Sequence, residues 1–510
     1  MVFQILRVIR SVAHSFFVGL IGLSALRVGV SSGVITPPVG VPMAGFGART
    51  EVSQGVHDDL HAKILLMESG GRRAALVTLD LVGLGRDEMN RLREAVGKHA
   101  GTQPTNVMIG CSHTHSGPSV KPNPMGSLPL KEQQRLIDDW LRGLRSKLSE
   151  IADEASENLT EAKVKFGKGL VTGLSYNRRK PVPEGACMLI METGRMKGAV
   201  REQYKAWGMP PELIEERAVP GIPTGPIDPE LIVLRFEALD GKPIAIVVNF
   251  SCHPVTLGPS NLLISADYPG YLRRLVEESE GATLLFTQGA SGNVRPYYSE
   301  RSFQEAERIG TALASITLKT MRDLTPLPPD IEVQVANSVF ELPLREVPPP
   351  EEAERLINKR EEELKKAIEA RDFREVRRLK EELLMLRRIS GQPTDLPVQW
   401  LGVTSKKTVK QVSQSIYEKD RVCELQVLAL GDVIFAAVPG ELFTELGLEI
   451  KRRSWSKRVM VVTLANGSVG YIPTKEAYEE GGYETKSLLK PGVGELIVDR
   501  MVMLIDKLEG

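Results

Sequence analysis

The chain has 510 residues, carries 65 basic against 65 acidic side chains, and is 42% hydrophobic. The balanced charge lacks the cationic footprint that bulk nucleic-acid binding requires, so no nucleic-acid partner is expected. The hydrophobic fraction is ordinary for a globular protein and sufficient for a sizeable core. The length fits either several domain-sized units or one large α/β core with insertions.

At the N-terminus, Arg7 and Arg10 precede an apolar run from Phe16 to Leu26. That run is shorter than the roughly 20 residues a spanning helix needs. It reads as a signal-peptide core with Gly22-Leu23-Ser24 as the cleavage site, as an uncleaved anchor, or as the product of a start codon assigned too far upstream. The first two readings imply secretion or association with a membrane surface, and the third a cytoplasmic protein. Residues 1–26 are accordingly set apart from a body covering 27–510.

Val28 to Ile35 reads as a strand ending at Thr36-Pro37-Pro38. Ala62 to Met67 and Ala74 to Leu79 form two more, around the turn Ser69-Gly70-Gly71. Arg86 to His99 has helical spacing, with Met89, Leu92 and Val96 on one face. The short strand Val107 to Ile109 runs into Cys111-Ser112-His113-Thr114-His115. Leu231 to Phe236 and Ile244 to Phe250 are strands, the second leading into Ser251-Cys252-His253-Pro254. The helix Tyr268 to Glu278, the strand Thr283 to Phe286 and the turn Gly289 to Asn293 follow.

Residues 348–390 differ in kind. Three prolines open a Glu/Lys/Arg-rich stretch with a break near Arg371-Asp372-Phe373, which predicts an antiparallel helical hairpin. It reads as a solvated arm with one narrow apolar stripe, or as a dimerisation arm or active-site cover. Strands then return at Leu425–Leu430, Val433–Val438 and Val459–Leu464, before a last helix from Val493. The pattern predicts an α/β fold, a mixed β-sheet core flanked by helices with the hairpin inserted.

Three of the 7 histidines stand at strand ends. In an extended backbone His113 and His115 leave on the same face, and His253 occupies an equivalent position after its own strand. Strand carboxyl ends are where ligands bind in open α/β sheets. Histidines brought together there, with a carboxylate and an open position, are what a catalytic zinc site needs. A single such histidine is more simply a structural one. Cys111 shares the face of His113 and His115 and is chemically able to ligate. The 4 cysteines, Cys111, Cys187, Cys252 and Cys423, form no C-x-x-C pair and read as buried thiols. His57 and His61 lie in a loop entering a strand, where four-residue spacing carries little weight. His14 and His99 read as structural. The Gly289–Asn293 turn offers either N–H groups for an oxyanion or a plain tight turn.

At these residues the chain resembles the neutral/alkaline, non-lysosomal ceramidase family, in its catalytic N-terminal domain. The collinear segments are Ile35-Thr36-Pro37-Pro38, Ser112-His113-Thr114-His115-Ser116-Gly117-Pro118 and Asn249-Phe250-Ser251-Cys252-His253-Pro254. They continue with Ile264 to Gly270, Gly289 to Pro296, Val438-Pro439-Gly440-Glu441 and Asn466 to Thr474. The resemblance implies Zn2+ as cofactor, held by His113, His253, Glu441 and Tyr471. It also implies His115 beside the ion as a group acting on substrate or water, and Arg178 as an essential arginine facing a developing oxyanion. Where the family has Gly-Asp-Val-Ser-Pro-Asn, this chain reads Gly292-Asn293-Val294-Arg295-Pro296-Tyr297, so Arg295 replaces a functionally important serine. The family's immunoglobulin-like C-terminal domain is not expected here.

The expected activity is hydrolysis of an amide (N-acyl) bond in a small-molecule or lipid substrate, of the sphingolipid kind. The alternatives are an esterase or glycan-directed hydrolase on the same scaffold, and a non-catalytic, metal-stabilised lipid- or carbohydrate-binding module. Oligomeric state is not legible in the sequence.

Overall fold

The protein is described by a computed structural model. It covers residues 25–508 apart from 48, 124–125, 189–203, 206–207, 218–224, 347, 391–421 and 488. The expected signal or anchor segment lies almost wholly outside the described residues. Among the described residues, no helix is long and apolar enough to cross a membrane.

The first half builds one large mixed sheet. Its strands are β1 (Arg27–Val34), β2 (His61–Ser69), β3 (Arg72–Leu79), β4 (Val107–Cys111), β5 (Thr160–Leu170), β7 (Glu230–Ala238), β8 (Pro243–Phe250) and β9 (Thr283–Gln288). A further short strand, β6 (Ser175–Asn177), lies apart from it and pairs with β10 (Val294–Pro296). The order across the large sheet is β9-β8-β7-β5-β1-β2-β3-β4, with Thr325–Pro326 pairing on β5. Two pairs in it are parallel, β3 with β4 and β8 with β9. Each is linked through a helix, α1 (Arg86–Ala100) and α3 (Tyr268–Glu280) respectively, as a parallel connection requires.

A second sheet of four strands has the order β11 (Val333–Glu341), β12 (Val422–Leu430), β13 (Val433–Val438) and β15 (Arg458–Thr463). Its last two strands are parallel and are joined through α7 (Thr444–Arg453). The two sheets pack face to face. Leu65, Leu76 and Val247 of the first share one buried cluster with Leu428, Phe435 and Met460 of the second. Strands covered on both faces need apolar residues at nearly every position. The runs Ile64-Leu65-Leu66-Met67 and Val433–Val438 meet that demand, and both are buried throughout.

Helices cover both outer faces. α1 and α2 (Leu130–Glu157) bury Leu92, Val96, Leu144, Leu148 and Ile151 against β2, β3 and β4. α3 and α4 (Phe303–Thr320) bury Leu272, Val276, Ile309 and Leu313 against β7, β8 and β9. α7 and the last helix, α8 (Val493–Asp506), cover the second sheet with Leu446, Ile450, Ile497 and Met501. The result is four layers, helix–sheet–sheet–helix. The mixed, helix-flanked α/β class is as expected, while the pairing of two sheets into one core was not read from the sequence. Nor were α2, β5 and α4.

The hairpin consists of α5 (Pro350–Glu369) and α6 (Phe373–Ser390). Arg371 between them has φ +54. Ala353, Ile357, Leu383 and Leu386 form its internal apolar stripe.

Candidate metal centre

The carboxyl ends of β4, β8, β9, β13 and β15 all open at one end of the sandwich. Cross-links between the sheets close that end: Asn466 N–H donates to Ile109 O at 2.9 Å, Asn249 Nδ2 to Val461 O at 3.0 Å, and Thr463 Oγ1 to Gly289 O at 2.8 Å. Side chains from strands far apart in sequence therefore converge there.

His113 follows β4 by two residues. Its N–H donates to Leu81 O at 2.8 Å, and its φ is +70. A positive φ is uncommon outside glycine and persists only where the surroundings over-determine it. The expectation that His113 and His115 share a face of an extended segment is thus corrected. The rings meet because the chain turns through a left-handed residue, with Nε2 of one 3.2 Å from Nε2 of the other.

His113 Nδ1 donates to Val82 O at 2.6 Å. His253 Nδ1 does the same to Ser291 O at 2.6 Å. A carbonyl can only accept, so both Nδ1 atoms carry the proton and both Nε2 lone pairs face inward. Their Nε2 atoms lie 3.4 Å and 3.1 Å from Glu441 Oε2. Glu441 and Leu442, strand β14, pair in parallel register with Tyr471 and Ile472, strand β16, which puts Tyr471 beside the carboxylate.

His113, His115 and His253 each place a nitrogen within 4.8 Å of the other two. Glu441 joins them through Oε2, and Tyr471 adjoins Glu441. Arg178 stands behind Tyr471, its guanidinium carbon 5.4 Å from the ring centroid. It is clamped by Glu484 Oε1 and Gly292 O, each at 2.8 Å. Cys111 and Cys252 are buried but do not join the cluster. Burial pushes the Cys111 thiol up to about 12, which disfavours the thiolate a metal needs.

The electrostatics suit ligation. Burial lowers His253 to about 4 and His115 well below the ordinary histidine value. Both are neutral at physiological pH, the form that binds metals. Burial, reinforced by Glu441, raises Tyr471 well above a free phenol, with Arg178 opposing. Two inward nitrogens with Nδ1 anchored to carbonyls, a carboxylate and an adjacent phenol form a donor set able to hold a metal ion.

The glycine turn does not present a row of free N–H groups. Gly289 N–H donates to Phe250 O at 2.9 Å and Gly292 N–H to Leu442 O at 2.8 Å. What the turn offers the site is the carbonyl oxygen of Ser291, joined by that of Val294 at the start of β10, both to His253. Gly292 is needed for packing: a Cβ there would overlap the backbone carbonyl of Glu441.

Arg295 lies on β10 opposite Tyr176. It is 6% exposed, donates Nη2 to Tyr298 OH at 2.7 Å, and pairs with no carboxylate among the described residues. His57 stacks on Phe303 at 3.7 Å between centroids and meets Tyr271 OH at 2.8 Å. His61 bonds Asp59 O and His99 bonds Asp153. None of these three joins the cluster.

Sequence reasoning missed the carbonyls of Val82 and Ser291, which have no side-chain signature. It also missed Glu484, which takes Arg178 Nε on one oxygen and Arg179 Nη1 on the other, each at 2.8 Å. Only Gly481-Gly482-Tyr483 precedes it, a string with no motif to signal a site.

No protein-family model matches the chain. Neutral ceramidase of Drosophila melanogaster is 24% identical over 286 residues, 52% of this chain and 34% of that protein. Neutral ceramidase of Drosophila pseudoobscura pseudoobscura is 26% identical over 276 residues, 51% of this chain and 33% of that protein. The match thus spans about a third of the length of these curated relatives. The crystal structure of neutral ceramidase from Pseudomonas aeruginosa superposes with a TM-score of 0.62 at 19% identity, covering 95% of this chain and 74% of that one. That likeness carries the fold, and the sequence matches carry the lineage. The sequence matches make the chain a distant relative of the neutral ceramidases over about half of its length.

Proposed function

We propose that this protein is a zinc-dependent hydrolase that cleaves an amide (N-acyl) bond with water. The observation that carries the reading is the shared geometry of His113 and His253. Each ties Nδ1 to a carbonyl and turns Nε2 toward the same oxygen of Glu441. His113, His253, Glu441 and Tyr471 would hold the ion. Zinc bound there would polarise the substrate carbonyl and lower the pKa of water toward about 7.

The chain's own residues would do the rest. His115 is neutral, and its Nε2 faces the cluster, 3.2 Å from His113 Nε2. From there it would take a proton from the attacking water and return it to the departing amine. Arg178 is already held by Glu484 and Gly292 O, so its charge is oriented before an oxyanion develops, at no reorganisation cost. Phe46, packed edge-on against His115 at 5.0 Å, and Tyr483, against Tyr471 at 5.5 Å, give the flanks an apolar character suited to an acyl chain. The relatives' name, neutral ceramidase, supports an N-acyl lipid substrate of the sphingolipid kind.

A second reading keeps the site and changes the bond. Arg295 stands where the family has a functionally important serine; it is buried, bonded to Tyr298 OH at 2.7 Å and without a carboxylate partner among the described residues. An ester or glycan-derived substrate would fit the loss of that serine.

The test is to purify the protein, measure zinc stoichiometry, and incubate it with N-acyl sphingoid, N-acyl amino-acid, N-acyl sugar and ester pools, reading products by mass spectrometry. One zinc per chain and free fatty acid from an amide are expected. Absence of stoichiometric zinc overturns the metal reading. Release from esters alone selects the second reading, and ligand binding without turnover selects a binding module.

A further inference from the structure

The helical hairpin is not a free arm. Phe373, at the start of α6, shares a buried cluster with Tyr176, Tyr204, Met209 and Ile214. One turn on, Arg377 is 4% exposed. It donates Nε to Glu184 O at 2.7 Å and Nη2 to Glu479 O at 3.2 Å, and pairs Nη1 with Glu381 Oε2 at 2.8 Å. The other oxygen of Glu381 accepts Gly482 N–H at 3.2 Å.

The hairpin thus grips the turn Gly481-Gly482. Gly481 has φ +69, and a Cβ there would overlap Arg377 Nη1, so only glycine allows this approach. On the other side of the turn, Arg179 donates Nη2 to Gly481 O at 2.8 Å and Nη1 to Glu484 Oε2 at 2.8 Å. Glu484, 2% exposed, holds Arg178, and Arg178 backs Tyr471. The links through Arg179, Glu484 and Arg178 are buried hydrogen bonds with a charged partner, those at Glu381 are part-buried, and the last is a guanidinium–ring contact. A displaced turn therefore moves Glu484 and, through it, Arg178.

We propose that Arg377 and Glu381 of α6 are positioning residues for the Tyr471 wall of the site, acting through Gly481-Gly482, Glu484 and Arg178. The proposal deepens the metal-centre reading and rests on it for the claim that Tyr471 faces the ion.

The test uses the full chain with Arg377→Ala, Glu381→Ala, Glu381→Gln and, as a control, Glu375→Ala, which removes only the exposed pair with Arg378. Two readouts are taken: hydrogen exchange of the metal-free protein, and cobalt(II) titration followed by the visible spectrum. Both alanine variants at 377 and 381 should lose protection at 481–486 and on into 469–474. They should also weaken cobalt binding by about 10- to 100-fold, the usual effect of removing a group that orients a ligand, and alter the spectrum. Glu381→Gln keeps an acceptor for Gly482 and should recover most of the affinity. It is also the variant to read if an alanine variant does not fold. Glu375→Ala should match the parent. Exchange changes confined to the hairpin and residues 182–186, with unchanged cobalt affinity and spectrum, would overturn the proposal. If the parent protein itself takes up no cobalt, the metal reading fails alone, and the spread of exchange into 469–474 decides the positioning claim.

Discussion

His113 and His253 face each other with ring centroids 4.6 Å apart, and each has its outer nitrogen bonded to a carbonyl, Val82 O for one and Ser291 O for the other. Neither ring is free to rotate or to change tautomer without breaking a 2.6 Å hydrogen bond. Two lone pairs are thereby held toward one point, which is the pre-organisation a metal ligand needs.

That relationship separates the three histidines by role. His113→Ala and His253→Ala should each lower zinc affinity by about 100-fold or more. His115→Ala should keep one zinc per chain and lower turnover, by about 100-fold or more for loss of a general base. Metal content after dialysis against a chelator buffer, together with kcat, measures both. Loss of zinc in His115→Ala would instead mean a three-histidine centre, which the 3.2 Å approach of His115 to His113 makes a concrete competitor.

Metal-free protein should be acid-labile in a defined window. Burial lowers His253 in the folded state from 6.5 to about 4, and lowers His115 as well. The unfolded chain therefore binds more protons across that range. The associated stability is fully present above about pH 6.5 and is lost as pH falls toward 4. At 1.36 kcal/mol per pKa unit, His253 alone accounts for about 3 kcal/mol. Urea midpoints in EDTA at several pH values check this, and a flat profile from pH 7 to 4 would count against it. Added zinc should move the loss to lower pH, because it binds only the folded, deprotonated site.

Gly292→Ala should damage the centre without touching a ligand. The new methyl would overlap Glu441 O, part of a backbone that also carries the candidate carboxylate. Overpacking of this kind typically costs about 1–3 kcal/mol. A lower Tm with weakened zinc binding is expected. Gly281→Ala, at a helix C-cap with φ +63 and open space around it, should cost stability but leave zinc affinity unchanged.

Between the layers, Arg93 of α1 pairs with Glu424 of β12 at 2.8 Å, both buried. Glu424→Ala leaves a buried guanidinium without its carboxylate, a change that typically costs about 3–5 kcal/mol. Arg93→Met combined with Glu424→Leu should restore much of the loss, since an apolar pair avoids desolvation of both charges. Thermal unfolding of the single and double variants decides it.

Much of the architecture was legible along the chain. Buried strands such as Val433–Val438 announce themselves as continuous apolar runs, and the hairpin by helical spacing on either side of Arg371. α2 was overlooked although Ile137, Leu141, Leu144 and Leu148 carry a clear helical period. The packing of the two sheets was not legible, because a doubly buried strand has the same composition whichever sheet covers its second face.

The sequence by itself determined the residue types and their places at strand ends: His113 and His115 beyond β4, His253 beyond β8. Family resemblance added Glu441 and Tyr471. Tertiary structure alone decided that these ends open at one place, that His113 reaches it through a left-handed turn, and that Val82 O and Ser291 O set both tautomers. The reason is physical. Side-chain chemistry is local to a residue, whereas the direction of a lone pair depends on carbonyls and charges delivered by other segments, 31 and 38 residues away for Val82 and Ser291 and 188 from His253 to Glu441.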